Sequence, residues 1–177
     1  MTNKTHLNEN DFCAEEEIDD GIEFITDTDE ENDLLIAIPP WKVLIADDDS
    51  NVHDTTVLAL SGVKIHGRPL EFMHAYSARE AKNIAAQTPD IALILLDVVM
   101  ETEDAGLKLV HVLRQDLSLK DLRIVLRTGQ PGYAKDSIMS NYAVDGYATK
   151  SKLTRAILIS MLDEVLDLKK PDPEQAN

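Results

Sequence analysis

Apolar residues in this 177-residue chain gather in short runs separated by polar stretches of helical period, and the alternation begins only at Trp41. The first run, Lys42–Ala46, and the strongest, Ile91–Leu96, are nearly continuous in Val, Ile, Leu and Ala. Runs this short, apolar on both pleat faces, are the mark of central strands in a parallel sheet covered by helices on each side. Leu70–Ala75, Arg123–Leu126 and Asp145–Ala148 complete a predicted set of five strands. Between them the pattern predicts helices over Asn51–Ser61, from Ser77 to Gln87, over Gly106–Leu117, over about Ala134–Asn141 and over about Leu153–Leu168.

The punctuation supports this reading. Ser77 with Glu80 three residues on has capping-box spacing. Pro89 and Asp90 break the chain before the strongest strand, and Gly129-Gln130-Pro131-Gly132 forms a sharp loop. Gly62–Pro69 reads as a loop longer than a turn. Inward candidates on the first helix are Val52, Thr56, Leu58 and Leu60, and on the last helix Ile157, Met161, Val165 and Leu168. Lys169 and Lys170 suit the last helix's C-terminus, and Pro171 and Pro173 stop it. Five strands alternating with five helices predict an α/β fold, a doubly wound parallel sheet with helices on both faces.

Charge divides the chain differently. Residues 1–40 hold thirteen Asp and Glu against one Lys, so −12 of the formal −16 sits there and only −4 in the rest. That composition predicts a largely disordered acidic tail over 1–40, a folded body over 41–168 and a short C-terminal tail over 169–177. Ile22–Ile25 and Leu34–Ile38 are the tail's two apolar pieces with a capacity to dock. An acidic chain lacks the cationic surface that nucleic-acid binding requires. The single cysteine, Cys13, excludes an internal disulfide framework and is expected to be an incidental thiol. The start carries no apolar signal core, and no run reaches membrane-spanning length, so a soluble cytoplasmic protein is expected.

The candidate chemistry lies at the strand ends. The first run leads into Asp47-Asp48-Asp49 and the strongest into Asp97. In a parallel sheet the carboxyl ends share one edge, where ligands bind. These carboxylates therefore meet in one cleft, and like charges so close call for a cation; a hard, oxygen-seeking divalent ion is the candidate. One aspartate before Asn51 would simply cap a helix, but three exceed that need. Asp49 or Ser50 is assigned the cap, leaving Asp47 and Asp48 for the metal.

With Thr128 after the fourth strand and Lys150 after the fifth, the stretch from Trp41 to about Leu168 resembles a response-regulator receiver domain. The wording WKVLIADDDSNVH, HGRPLEF, ALILLDVVMETEDAGLKLV and LRTGQPG resembles the subgroup found at the N-terminus of cyclic-dinucleotide signalling regulators. The resemblance implies a flavodoxin-like strand order 2-1-3-4-5 and a two-component phosphorelay in which Asp97 accepts a phosphoryl group. It implies Mg²⁺ held by Asp48, Asp97 and the Val99 carbonyl, with Asp47 acting mostly through water. It gives Lys150 and the Thr128 hydroxyl to the phosphoryl oxygens and makes Thr128 and Tyr147 the switch pair. The partners implied are a histidine kinase or histidine phosphotransfer protein and a downstream protein target, and the resemblance allows a phosphorylation-dependent homodimer. Such a module is not a separate enzyme.

The chain also departs from that pattern. Ser151 follows Lys150 where the family has proline, so the family's cis peptide there is not expected. Glu101 stands where proline is common, and Glu103 and Asp104 add charge to the loop, which either strengthens metal binding or repels a phosphoryl group. Val99 offers no polar side chain to orient a hydrolytic water, which predicts a long-lived phosphoryl group. Bland readings stand beside these roles: Lys150 as a solvated lysine near Lys152 and Arg155, Thr128 as a turn residue, Tyr147 as a β-former at an edge. The alternative functions are a haloacid-dehalogenase-like phosphohydrolase, whose Asp-x-Asp motif Asp47–Asp49 imitates, and a phosphorylation-independent pseudo-receiver scaffold. The acidic tail has two readings, solubility or autoinhibition against a basic rim of Arg127, Lys150 and Lys152.

Overall fold

The computed structural model describes residues 38–129 and 135–167. The tail's two apolar segments (save Ile38), Cys13, Gln130–Gly132 and the chain beyond Asp167 lie outside the described residues.

The strands are β1 (Trp41–Ala46), β2 (Lys64–Ile65), β3 (Arg68–Ala75), β4 (Ile91–Asp97), β5 (Arg123–Thr128) and β6 (Gly146–Thr149). They form one sheet in the order β2-β3-β1-β4-β5-β6. The five longer strands pair in parallel, and their order is the 2-1-3-4-5 expected from sequence. The helices are α1 (Ser50–Leu60), α2 (Ala78–Gln87), α3 (Ala105–His111), α4 (Lys135–Asn141) and α5 (Arg155–Val165). The α3 helix continues into a wider π-helical turn over Val112–Asp116.

The apolar runs are buried on both faces because alternate side chains feed two cores. Val43 and Ile45 of β1, Leu93 and Leu95 of β4 and Val125 of β5 join Leu60, Leu158 and Leu162 from α1 and α5. Leu44 and Ala46, Ile94 and Leu96, Ile124 and Leu126 join Ala81, Leu109, Leu113 and Ile138 from α2, α3 and α4. Each fully buried Leu or Ile contributes roughly 1.5–3 kcal/mol. The same parity governs polar residues at the strand ends: Asp47, Asp97 and Arg127 fall on the α1/α5 face.

Three expectations need correction. The stretch Gly62–Pro69, read as a loop, contains β2 and a tight antiparallel hairpin, with Ile65 paired to Arg68. Its turn residues His66 and Gly67 have φ of 50° and 78°, the left-handed pair that a two-residue hairpin turn requires. The hairpin is anchored by Trp41, whose Nε1 donates to Ile65 O at 3.0 Å while the Arg68 guanidinium lies 3.6 Å above its ring.

On α1 the inward residues are His53, Thr56 and Leu60, a spacing of three and four, which puts Leu58 on the outer face at 77% exposure. On α5 the buried stripe is Leu158, Leu162 and Leu166, one residue on from the expected one; Ile157 is half exposed and Met161 and Val165 flank the core. Periodicity alone cannot choose between adjacent apolar positions when both are available.

Two contacts hold the layers in register. Gly106, in the first turn of α3, packs on the end of β4, and a Cβ there would lie 1.9 Å from Asp97 O. Arg114, in the π-helical turn, donates to the carbonyls of Leu119, Leu122 and Ala143 and to Asp145 Oδ2. The same Asp145 oxygen accepts from Ile124 N at 2.8 Å, so one guanidinium ties the α3–β5 and α4–β6 connections together.

Gly106→Ala is expected to lower stability by about 1–3 kcal/mol, because the colliding atom is backbone and cannot rotate away. Arg114→Met leaves three carbonyls and a carboxylate short of a donor and is expected to cost about 2–4 kcal/mol. Urea unfolding midpoints of the two variants measure both effects.

Candidate functional site

The carboxyl ends of β1, β4, β5 and β6 converge as the parallel order requires. Oxygens of Asp47, Asp48 and Asp97 all lie within 4.8 Å of one another. Asp47 and Asp97 are buried while Asp48 is exposed. Asp49, the residue left over, caps α1: its Oδ1 accepts from Asn51 N at 2.9 Å, and this bond holds its carboxyl below the usual range.

Lys150 follows β6 directly, opening a short 3₁₀ turn over Lys150–Lys152. Its Nζ lies 2.6 Å from Asp97 Oδ2 and 2.9 Å from Asp47 Oδ2, so it is no solvated lysine. Burial works to lower its pKa, but the bonds to Asp97 and Asp47 outweigh it and hold the ammonium above its ordinary value. Burial pushes the Asp97 carboxyl up, against the opposing pull of Lys150, and the charge of Asp47 adds to the rise. Among the described residues no peptide is cis, so the chain turns from Lys150 into Ser151 through a trans bond, as the missing proline leads one to expect.

Arg127 departs most from expectation. Counted from sequence as part of a basic rim, it is only 2% exposed. Its position on the α1/α5 face sends the side chain under the site instead of over it. Nη2 donates to Asp47 Oδ2 at 3.3 Å and Nη1 to Thr56 Oγ1 at 2.9 Å. Burial lowers its pKa, yet a guanidinium remains charged at any physiological pH. Lys152 does stay exposed.

Both oxygens of Asp47 are therefore engaged, Oδ1 by Asp49 N at 3.2 Å and Oδ2 by Arg127 and Lys150. Asp97 Oδ1, by contrast, is buried and makes no hydrogen bond of ordinary geometry among the described residues, although the Val99 amide acts on the carboxylate. A buried carboxylate with one oxygen orphaned, clustered with two further aspartates, is the feature that fits a cation, and an all-oxygen donor set fits a hard one such as Mg²⁺.

Thr128 ends β5 fully buried, opposite Thr149, and Tyr147 is half buried in β6, packed against the α2/α3/α4 core. Val99 is half buried just beyond Asp97. The acidic loop resolves into local structure. Glu101 Oε1 accepts from Ala78 N at 2.9 Å, a second cap on α2 beside Ser77, whose Oγ accepts from Glu80 N. Asp104 pairs with Lys108 at 2.9 Å and accepts from Thr102 Oγ1. Glu101 and Asp104 thus brace the loop, and neither belongs to the three-aspartate cluster.

A second support escaped the sequence reading. His53, buried on α1, reaches the Asp47 carbonyl through Nε2 at 2.8 Å and His74 through Nδ1 at 2.8 Å, and stacks on Tyr76 with ring centroids 4.3 Å apart. A carbonyl can only accept, so Nε2 carries the proton and Nδ1 receives one from His74 Nδ1. Burial together with the nearby His53 lowers the pKa of His74. The signal available in sequence was a histidine at a core-facing position, three and seven residues before Thr56 and Leu60.

No protein-family model matches the chain. It is 42% identical over 160 residues to 3'3'-cGAMP-specific phosphodiesterase 2 of Vibrio cholerae, matching 84% of this chain and 31% of that protein. The chain thus spans about a third of the length of the curated relative it matches. Among solved structures, the Vibrio cholerae chemotaxis protein CheY4 superposes with a TM-score of 0.59 at 24% identity, covering 72% of this chain and 99% of that one. A signal receiver domain of a two-component histidine kinase from Clostridium thermocellum superposes with a TM-score of 0.61 at 16% identity, covering 72% and 98%. Among the described residues no helix is long and apolar enough to cross a membrane. From β1 to α5, this chain has the fold of a response-regulator receiver domain.

Proposed function

We propose that this chain is a phosphoacceptor module of a two-component phosphorelay, with Asp97 as the residue that becomes phosphorylated. The observation that carries the reading is the Asp97 carboxylate itself, 4% exposed, with Lys150 on one oxygen and no hydrogen bond of ordinary geometry among the described residues on the other. A structural ion pair has no need to leave half of a buried carboxylate unsatisfied; a nucleophile awaiting a metal and a phosphoryl group does.

An Asp97 oxygen attacks the phosphorus of a phosphohistidine on a kinase or phosphotransfer protein. The P–N bond breaks as the acyl phosphate forms, and the imidazole leaves with the electron pair. Mg²⁺ supplies the charge cancellation that lets an anion attack an anion. Asp48, Asp97 and the Val99 carbonyl would hold it, with Asp47 accepting from a metal-bound water. Lys150 transfers its ammonium from the carboxylates to a phosphoryl oxygen, and the Thr128 hydroxyl bonds another. Tyr147 then follows Thr128, altering the face offered to a downstream protein. By likeness to the Vibrio phosphodiesterase, the module serves a cyclic-dinucleotide signalling regulator. Hydrolysis is slow, since Val99 has no polar side chain and Glu101 is committed to α2.

The phosphohydrolase reading has no observation in its favour. Its nucleophile would be Asp47, whose oxygens are both engaged, and its second aspartate, Asp49, caps α1.

Acetyl phosphate with Mg²⁺ is expected to add one phosphoryl group, seen by intact mass, and Asp97→Asn to abolish it. A wild-type chain that stays unmodified and gives no spectral change with beryllofluoride would instead establish the pseudo-receiver. Lys150→Ala should slow phosphorylation by about two to three orders of magnitude, the usual loss for one preorganised charge at a transition state. The phosphorylated form should persist well beyond minutes when phosphate release is followed.

A further inference from the structure

The proposed metal site already contains a cation of its own. Three aspartates face one another, yet two of their charges are met within the protein, by Lys150 from above and by Arg127 from below. Lys150 has a role in the chemistry just described. Arg127 has none, and a buried guanidinium is far too costly to desolvate without a compensating purpose.

We infer that Arg127 is a positioning residue that competes with the divalent ion for Asp47, setting a ceiling on metal affinity and holding the site assembled when no metal is bound. This rests on the reading of the aspartate cluster as a Mg²⁺ site. Arg127 grips Asp47 by one nitrogen only, at 3.3 Å, while its Nε is buried with no partner among the described residues. Such a single, long contact can be given up. Its other anchor is Thr56 on α1, at 2.9 Å, and a cavity of about 150 Å³ between α1 and α5, lined by Thr55, Thr56, Arg127, Lys150 and Leu158 among others, borders the guanidinium. The side chain therefore has somewhere to withdraw to when a second cation takes hold of the carboxylates. Metal binding and the Arg127–Asp47 contact become alternatives, and the exchange reaches α1 through Thr56.

Coulomb's law sets the direction. A unit positive charge a few ångströms from a divalent ion repels it even at a high effective dielectric, so removing that charge without removing a ligand must tighten binding. Arg127→Met keeps the bulk of the side chain and is expected to bind Mg²⁺ about tenfold more tightly by calorimetry. Arg127→Lys keeps the charge and should stay within about twofold of the wild type. A purely structural role predicts the opposite sign, since a loosened Asp47 would weaken the site.

Losing one partner of a buried pair can also unfold a chain, so the wild-type protein supplies a second measurement. The Arg127 Nε–H resonance should shift as Mg²⁺ is added, with the same midpoint as the backbone amide of Asp48. A static Arg127 resonance, or an Arg127→Met variant that folds and binds Mg²⁺ no more tightly, overturns the inference. The Mg²⁺-site reading fails separately: in that case the wild type binds no Mg²⁺, or Asp97→Asn binds it equally well.

Discussion

Everything at the carboxyl edge of this sheet depends on keeping two buried aspartates, Asp47 and Asp97, beside each other. Neither is more than 4% exposed, and an uncompensated pair of carboxylates in such surroundings would take up a proton or open the fold. The compensation comes from far along the chain, since Arg127 and Lys150 lie on strands or turns that the sheet order alone brings near β1 and β4. Lys150 touches both carboxylates and Arg127 only one, so the charges form a short chain from Arg127 through Asp47 and Lys150 to Asp97. Removing Lys150 leaves Asp97 without its cation, and removing Asp47 leaves Arg127 without its carboxylate, a buried charge alone in either case.

That arrangement explains why the surrounding loops are so firmly tied. An ion pair at 2.6–2.9 Å tolerates little drift in the backbone that carries it. Gly106 lets α3 approach to the point of touching the Asp97 carbonyl, Glu101 pins the following loop to α2, and His53 holds the Asp47 carbonyl from α1. Each brace is made by a different helix. The site is thus carried on the sheet and held from both helical layers, which fixes its carboxylates and its ammonium relative to one another.

Much of this was legible in sequence because it follows from parallel-sheet geometry. Apolar runs ending in Asp47 and Asp97, and a lysine after the last strand, must share an edge once the strand order is known. The strand order came from the resemblance to receiver domains, and the turn residues left two candidates for the cap, Asp49 and Ser50, of which Asp49 makes the bond. What was not legible has a common cause: it turns on which way a side chain points. Arg127 was taken for rim because arginine is commonly exposed, yet strand parity turns it inward toward Asp47. Leu58 and Ile157 were taken for core because they are apolar, yet helical phase turns them outward. Glu101 was weighed only as charge near the metal, when a helix N-terminus 23 residues earlier in the chain was the nearer claimant for it. The hairpin at His66-Gly67 was missed for a different reason, since the strong two-residue turn signals are Asn-Gly, Asp-Gly and Gly-Gly, and His-Gly is not among them.

The charge of the whole chain bears on the site less than the charge of its centre. Of the formal −16, three quarters belongs to residues 1–40, and the folded body is only mildly acidic. Of the three cations in the predicted rim, Arg127 is buried, Lys150 is paired twice and Lys152 is exposed. A solvent-borne acidic segment would have to break the Lys150 bridges at 2.6 and 2.9 Å before gaining anything in return, and exposed charges are screened within about 10 Å in ordinary salt. Tight internal pairing therefore shields the Lys150 ammonium against adventitious solvent anions.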